Sequence, residues 1–158
     1  MDMNKSTDRI EREIVLKAAR SRVWRALSNA EEFGDWFGVA LKGKAFVAGQ
    51  AVRGQISYAG YEHLVWEVVI ERMLPEELLS FRWHPYAVDP AVDYSQEPTT
   101  LVVFELTAVE EGTLLRLVES GFDNIPAERR QEAFRMNSGG WEAQMKNIEK
   151  YVAAAVTS

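Results

Sequence analysis

The residue whose type and place most invite chemistry is Glu119. In the run Thr113–Gly121, residues Leu115, Leu117 and Glu119 share one face by two-residue alternation, with Arg116 on the other. A carboxylate on an apolar face must be paired, hydrogen-bonded or protonated. Arg130, near the start of the last helix, is a candidate partner. Glu119 is thus a candidate ligand anchor or acid/base at a cavity mouth, set against the plainer reading of a structural pair at a strand end. His84 directly follows Trp83 and opens a proline-rich stretch, which makes it a candidate general base or polar anchor at a cavity mouth, set against the plainer reading of a surface or capping histidine at a strand end. The chain has two histidines, His63 and His84, too few for a three-histidine zinc site, and no cysteine for a thiol nucleophile or thiolate metal site. It has no HExxH, P-loop, GxGxxG or GxSxG pattern. No metal or cofactor is expected.

Five Trp, five Tyr and seven Phe are many for this length, and they shift attention to an apolar site. Trp36, Phe37, Trp66, Phe81, Trp83, Phe122, Phe134 and Trp141, with Met145, are its candidate lining. Singly, each reads as plain core. As a set they are what a small apolar ligand uses. Asn137, with Tyr58, Ser138 and Gln144, would supply polar edges.

These side chains need elements to hold them. The alternation from Ile10 to Leu16 reads as a first strand, after a polar stretch over residues 1–8 expected to be disordered. Two short helices follow, one capped by Ser21 and running to Leu27, one from Asn29 through Phe37 and stopped by Gly38. Six β-rich runs come next: Val39–Phe46, Ala51–Tyr58, Leu64–Met73, Leu78–Trp83, Thr99–Val109 and Thr113–Gly121. Their short spacers require antiparallel pairing. The exception is the connector His84–Pro98, which three prolines keep out of any strand and which is a candidate lid or contact flap. From Pro126 to about Ala155, Phe134, Ser138, Trp141, Met145, Ile148 and Val152 fall on one helical face. A helix of that length is a rod of about 45 Å. Gly139-Gly140 inside it costs about 1 kcal/mol per glycine relative to alanine, so close approach to the sheet, a local bend or room for a ligand is expected there. The order is that of an α+β fold, with a bent seven-stranded antiparallel sheet around one long C-terminal helix. One domain over residues 9–155 is expected, with no linker or repeat to divide it.

Recognisable text accompanies this order. "IEREIVLKAARSRVWRALSNAEEFGDWFG" resembles the opening of the START-like (SRPBCC) superfamily, in its subfamily named for the activator of heat-shock protein 90 ATPase. Val23-Trp24 with Ala26-Leu27, and Asp35-Trp36-Phe37, stand at that pattern's positions. So do Thr99-Thr100, Phe104–Leu106, Gly112–Leu117 and Ser120–Phe122 near the closing hairpin, and Gly140-Trp141 in the long helix. The resemblance implies a helix-grip fold with an internal cavity. Members of the wider superfamily bind lipids, sterols, polyketides or other apolar molecules, and some are cyclases or hydrolases, a role that here would fall to Glu119 or His84. The eukaryotic namesake stimulates a chaperone ATPase and carries a further N-terminal domain.

Composition narrows the partners. Of 158 residues, 47% are hydrophobic and 27% charged, which fits a folded globular chain. Eighteen basic against twenty-four acidic residues give a net charge of −6, unfavourable for nucleic acid or anionic membrane. No apolar run spans a bilayer and no signal core is present, so a cytoplasmic location is expected. The leading expectation is binding of an apolar small molecule without a demonstrated reaction. A chaperone-directed interaction protein and a cyclase or hydrolase are the alternatives, and a homodimer remains open.

Overall fold

The structure, a computed structural model, describes residues 8–89 and 91–156. Its elements run β1 (Arg9–Leu16), α1 (Arg20–Ser28), α2 (Ala30–Phe37), β2 (Ala51–Gln55), β3 (Val65–Leu74), β4 (Leu78–Trp83), β5 (Thr100–Val109), β6 (Gly112–Ser120), a short 3₁₀ turn (Phe122–Asn124) and α3 (Ala127–Val156). The strands form one antiparallel sheet in the order β1-β6-β5-β4-β3-β2. α3 packs against β1, α1 and α2 across the apolar face of the sheet.

The described residues contain six strands, not seven. Val39–Phe46, expected to be a strand, contributes a single bridge from Val39 to Ile56. The reason is local. A turn closes at Lys44 N–H to Leu41 O, with Gly43 in the left-handed region at φ 78°, and it breaks the extended run. Leu41 and Phe46 still bury their side chains, so the segment is an irregular arm plugged into the core. The run from Ala51 likewise pairs only as far as Gln55.

The start of the chain is tied across the sheet. β1 pairs with β6 from Arg9↔Ser120 to Leu16↔Thr113. Asp8, at the end of the stretch expected to be disordered, accepts hydrogen bonds from the Gly121 and Asp123 amides; residues 1–7 lie outside the described residues. α1 begins at Arg20 with no side-chain cap, so Ser21 does not cap it. α2 is capped as expected: the Asn29 side chain accepts from the Glu32 amide, and Gly38 at φ 98° ends the helix. α3 starts one residue after Pro126.

Gly139 and Gly140 depart from expectation. They are exposed, and a Cβ at either position would meet nothing within 4 Å. Neither the sheet nor a packed neighbour requires them. Gly34 is the opposite case: it is buried in α2, and a Cβ there would overlap the Val39 carbonyl oxygen. Gly139→Ala and Gly140→Ala should therefore each stabilise the protein by about 1 kcal/mol, read as a higher urea midpoint at unchanged slope. Gly34→Ala should lower that midpoint.

Candidate functional site

Side chains from four elements meet at the Glu119 carboxylate. Glu119 stands near the end of β6 and is fully buried. The β5–β6 register sets it opposite Val102, two residues along from Thr100. Thr100 Oγ1 lies 2.5 Å from Oε2, within the range of charge-assisted O–H···O⁻ bonds. Trp83 Nε1, from the end of β4, donates to Oε2 at 2.7 Å. Trp141 Nε1 donates to Oε1 at 2.7 Å, and Asn137 Nδ2 lies 3.0 and 3.2 Å from the two oxygens. Asn137 and Trp141 are one helical turn apart on α3, so they reach the same group.

No cation stands among these four partners. Arg130, the partner expected for Glu119, instead donates to the Ile125 carbonyl at the start of its own helix. Glu119 is held by neutral dipoles, and both of its oxygens accept from an indole N–H that can only donate. Burial is the largest influence on its acidity and pushes its pKa above the ordinary carboxylate value. The hydrogen bonds from Thr100, Trp141, Trp83 and Asn137 pull the other way.

The two indoles lead from this polar knot into an aromatic interior. Trp83 and Trp141 lie 5.8 Å apart between ring centroids. Phe37, the last residue of α2, touches both, at 6.2 and 5.8 Å. Phe37 also stacks on Phe33 at 4.9 Å and meets Trp66 at 5.9 Å. Phe81 bridges Trp66 and Trp83 at 6.0 and 5.4 Å, and Phe104 meets Trp141 at 5.8 Å. Such spacings are those of favourable ring contacts. The space between sheet and α3 is thus occupied by interlocked rings where an internal cavity was expected.

A cleft opens at the edge of this interior. It has a volume of about 440 Å³ and is lined by Trp36, Gly38, Tyr58, Tyr151 and the charged residues Asp35 and Lys150, among others. Its inner side is latched at the Phe37 carbonyl, which accepts from Tyr58 Oη at 3.0 Å and Gln144 Nε2 at 2.8 Å.

The remaining expected site residues are placed elsewhere. His84 Nε2 lies 3.1 Å from the Glu97 carbonyl and closes the base of the 84–98 connector. Arg129 fastens that connector to α3 through Glu97 at 2.7 Å, the Pro85 carbonyl at 2.8 Å and the face of Tyr94. Phe122 and Phe134 form a separate edge-on pair at 5.1 Å. Met145 is buried in the core. Ser138 faces β1, where its hydroxyl and carbonyl accept from Arg12. Of the Glu119 partners, Thr100 was not foreseen as a site residue. The signal was present, since Thr100, Val102 and Phe104 alternate onto the face that Glu119 shares.

Comparison with known proteins bears on the fold and family. The family model described as "Activator of Hsp90 ATPase homolog 1-like protein" matches residues 17–153. No curated protein gives a significant sequence match. Among solved structures, MLL2253 from Mesorhizobium loti is 22% identical with a TM-score of 0.71, covering 92% of this chain and 97% of its own. SA2116 from Staphylococcus aureus is 14% identical with a TM-score of 0.72, covering 95% and 96%. NE0264 from Nitrosomonas europaea is 16% identical with a TM-score of 0.71, covering 98% and 99%. At these identities the likeness establishes the fold alone.

The Glu119 knot makes a signed prediction. An acid with a raised native pKa holds more protons folded than unfolded between the two pKa values. The stability it contributes is present in full below the unfolded value, 4.5, and is lost as pH rises through the native one. The stability of wild type relative to Glu119→Gln should therefore fall as pH is raised from 4.5, measured by urea denaturation at several pH values. A difference that grew with pH would mean a carboxylate held ionised. Glu119→Leu strands the buried Trp141 and Thr100 donors and should cost about 3 kcal/mol.

Proposed function

The chain belongs to the activator of Hsp90 ATPase homolog 1-like family, and from that premise we propose that it binds an apolar small molecule between its sheet and α3, with no reaction assigned to it. The observation that carries this reading is the aromatic interior centred on Phe37 and ending at the 440 Å³ cleft. The cleft is shallow and open with a lining of mixed polarity, so it would admit the ligand, and the rings behind it would take up the apolar body. The rings behind it are wide, flat and poor in competing hydrogen-bond groups. A ligand entering at the cleft would meet Trp36 first, then Phe37, then Trp66, Phe81, Trp83 and Trp141, with Met145 beneath.

Glu119 and Asn137 have a definite part in this reading. The carboxylate already accepts five close contacts, more than its roughly four lone-pair sites. It serves as the anchor that orients Trp83 and Trp141, and a ligand donor reaches it only by replacing Asn137 or Trp83, the two half-buried partners. His84 acts on the connector that covers this end, not on the ligand. Phe122 and Phe134 stand apart from the ring network and are the weakest members of the expected set.

The test is to compare native and denaturing mass spectra of the purified protein. A small molecule retained only in the native spectrum is the expected result, and added ligand should raise Tm by mass action. A bare mass, together with no thermal shift across an apolar compound panel, would remove the reading. Chaperone ATPase stimulation would then be the next assay.

A further inference from the structure

Five tryptophans are present, and the hydrogen-bonding of the buried ones is uneven. Trp36 Nε1 donates to the Ala26 carbonyl at 2.8 Å. Trp83 and Trp141 donate to Glu119. Trp66 is only 5% exposed, yet its Nε1 has no hydrogen-bond partner among the described residues. Its surroundings are aromatic: Phe33 at 5.6 Å, Phe37 at 5.9 Å, Phe81 at 6.0 Å and Phe46 at 6.4 Å. A buried donor left unmade is expensive, and weak contact with ring faces returns little of that cost. A phenylalanine would supply an aromatic ring here without the stranded N–H.

Phe37 packs beside this indole at the end of α2 that borders the cleft. Its ring touches Trp66, and its chain neighbours Trp36 and Gly38 line the cleft. It is the last residue of its helix, its backbone latched by the two hydrogen bonds to its carbonyl, so a ligand that displaces its ring need not move the helix end. The volume it vacates would adjoin the cleft and face Trp66.

Resting on the binding reading above, we infer that Trp66 Nε1 is the donor of a ligand subsite, and that this subsite takes a flat, apolar molecule bearing a carbonyl oxygen, which replaces the Phe37 ring. The flat body stacks among Phe33, Trp83 and Trp141, the neighbours of the ring it replaces. The oxygen accepts from Trp66. A site with a buried unpaired donor discriminates strongly against an isostere that lacks the acceptor.

The pair 9-fluorenone and fluorene isolates that oxygen, because the two differ in little else. Each is titrated into protein with ¹⁵N-labelled indoles, and the Trp66 signal is assigned by its absence in Trp66→Phe. Fluorenone should bind wild type about tenfold more tightly than fluorene and should shift the Trp66 Nε1–H signal downfield. Trp66→Phe should bind both equally, and Phe37→Ala should bind both more tightly than wild type. Equal binding of the two probes to wild type, or a ketone preference that survives in Trp66→Phe, overturns the subsite while leaving apolar binding intact. Failure of both probes to bind wild type and Phe37→Ala also overturns the subsite, while the binding reading itself falls only on a bare native mass and a flat thermal panel. Should Trp66→Phe not fold, the wild-type spectrum decides without that assignment: no indole N–H signal moved downfield by bound fluorenone overturns the subsite.

Discussion

The fold is organised around one buried carboxyl group whose partners among the described residues are all neutral. Glu119 is withdrawn from water and met by two indoles, an amide and a hydroxyl drawn from β4, β5 and α3. Hydrogen bonds of this kind are directional, whereas apolar contacts tolerate sliding. An amphipathic helix on a purely aliphatic sheet face could settle one turn further along with little loss. With Asn137 and Trp141 both bonded to Glu119, a one-turn slip of α3 would strand donors and acceptors together. The same bonds fix the planes of Trp83 and Trp141, and those planes set where Phe37 and Phe104 can lie.

α3 is fastened at several heights, each by a polar contact to a different part of the chain. Arg129 takes the 84–98 connector, Ser138 takes Arg12 of β1, and Gln144 takes the end of α2. Gly139 and Gly140 lie between these ties on the exposed side. The helix is therefore softest where its neighbours hold it best on either side. The aromatic interior beneath is built from α2, β3, β4, β5 and α3 together, so no single element owns it.

Periodicity made much of this legible. Two-residue alternation put Glu119 on the apolar face of the sheet, and helical spacing put Trp141 on the apolar face of the long helix. Three prolines correctly kept His84–Pro98 out of the sheet. The failures have physical causes. Arg130 was matched to Glu119 by charge, but pairing across a sheet and helix depends on which way long side chains turn, and Arg130 is satisfied one turn away. Val39–Phe46 has strand composition, yet one left-handed glycine diverts it, and composition alone does not register a single dihedral angle. Whether the rings enclose a cavity or fill it is a question of packing to within an ångström, which no residue pattern encodes.

The pairing of β1 with β6 also orders events in time. Residues 9–16 are synthesised about a hundred residues before their hydrogen-bonding partners, residues 113–120. At translation speeds of roughly 5–20 residues per second, the first strand waits several seconds or more for its neighbour. Through that interval Ile10 and Leu16 have no sheet to enter, and the donors on α3 that close over Glu119 are made later still. The grip therefore forms as a late, nearly concerted event rather than by growth from the N-terminus. Between those two points of synthesis a nascent chain carries an open sheet edge, the stage at which holding factors would matter most to it.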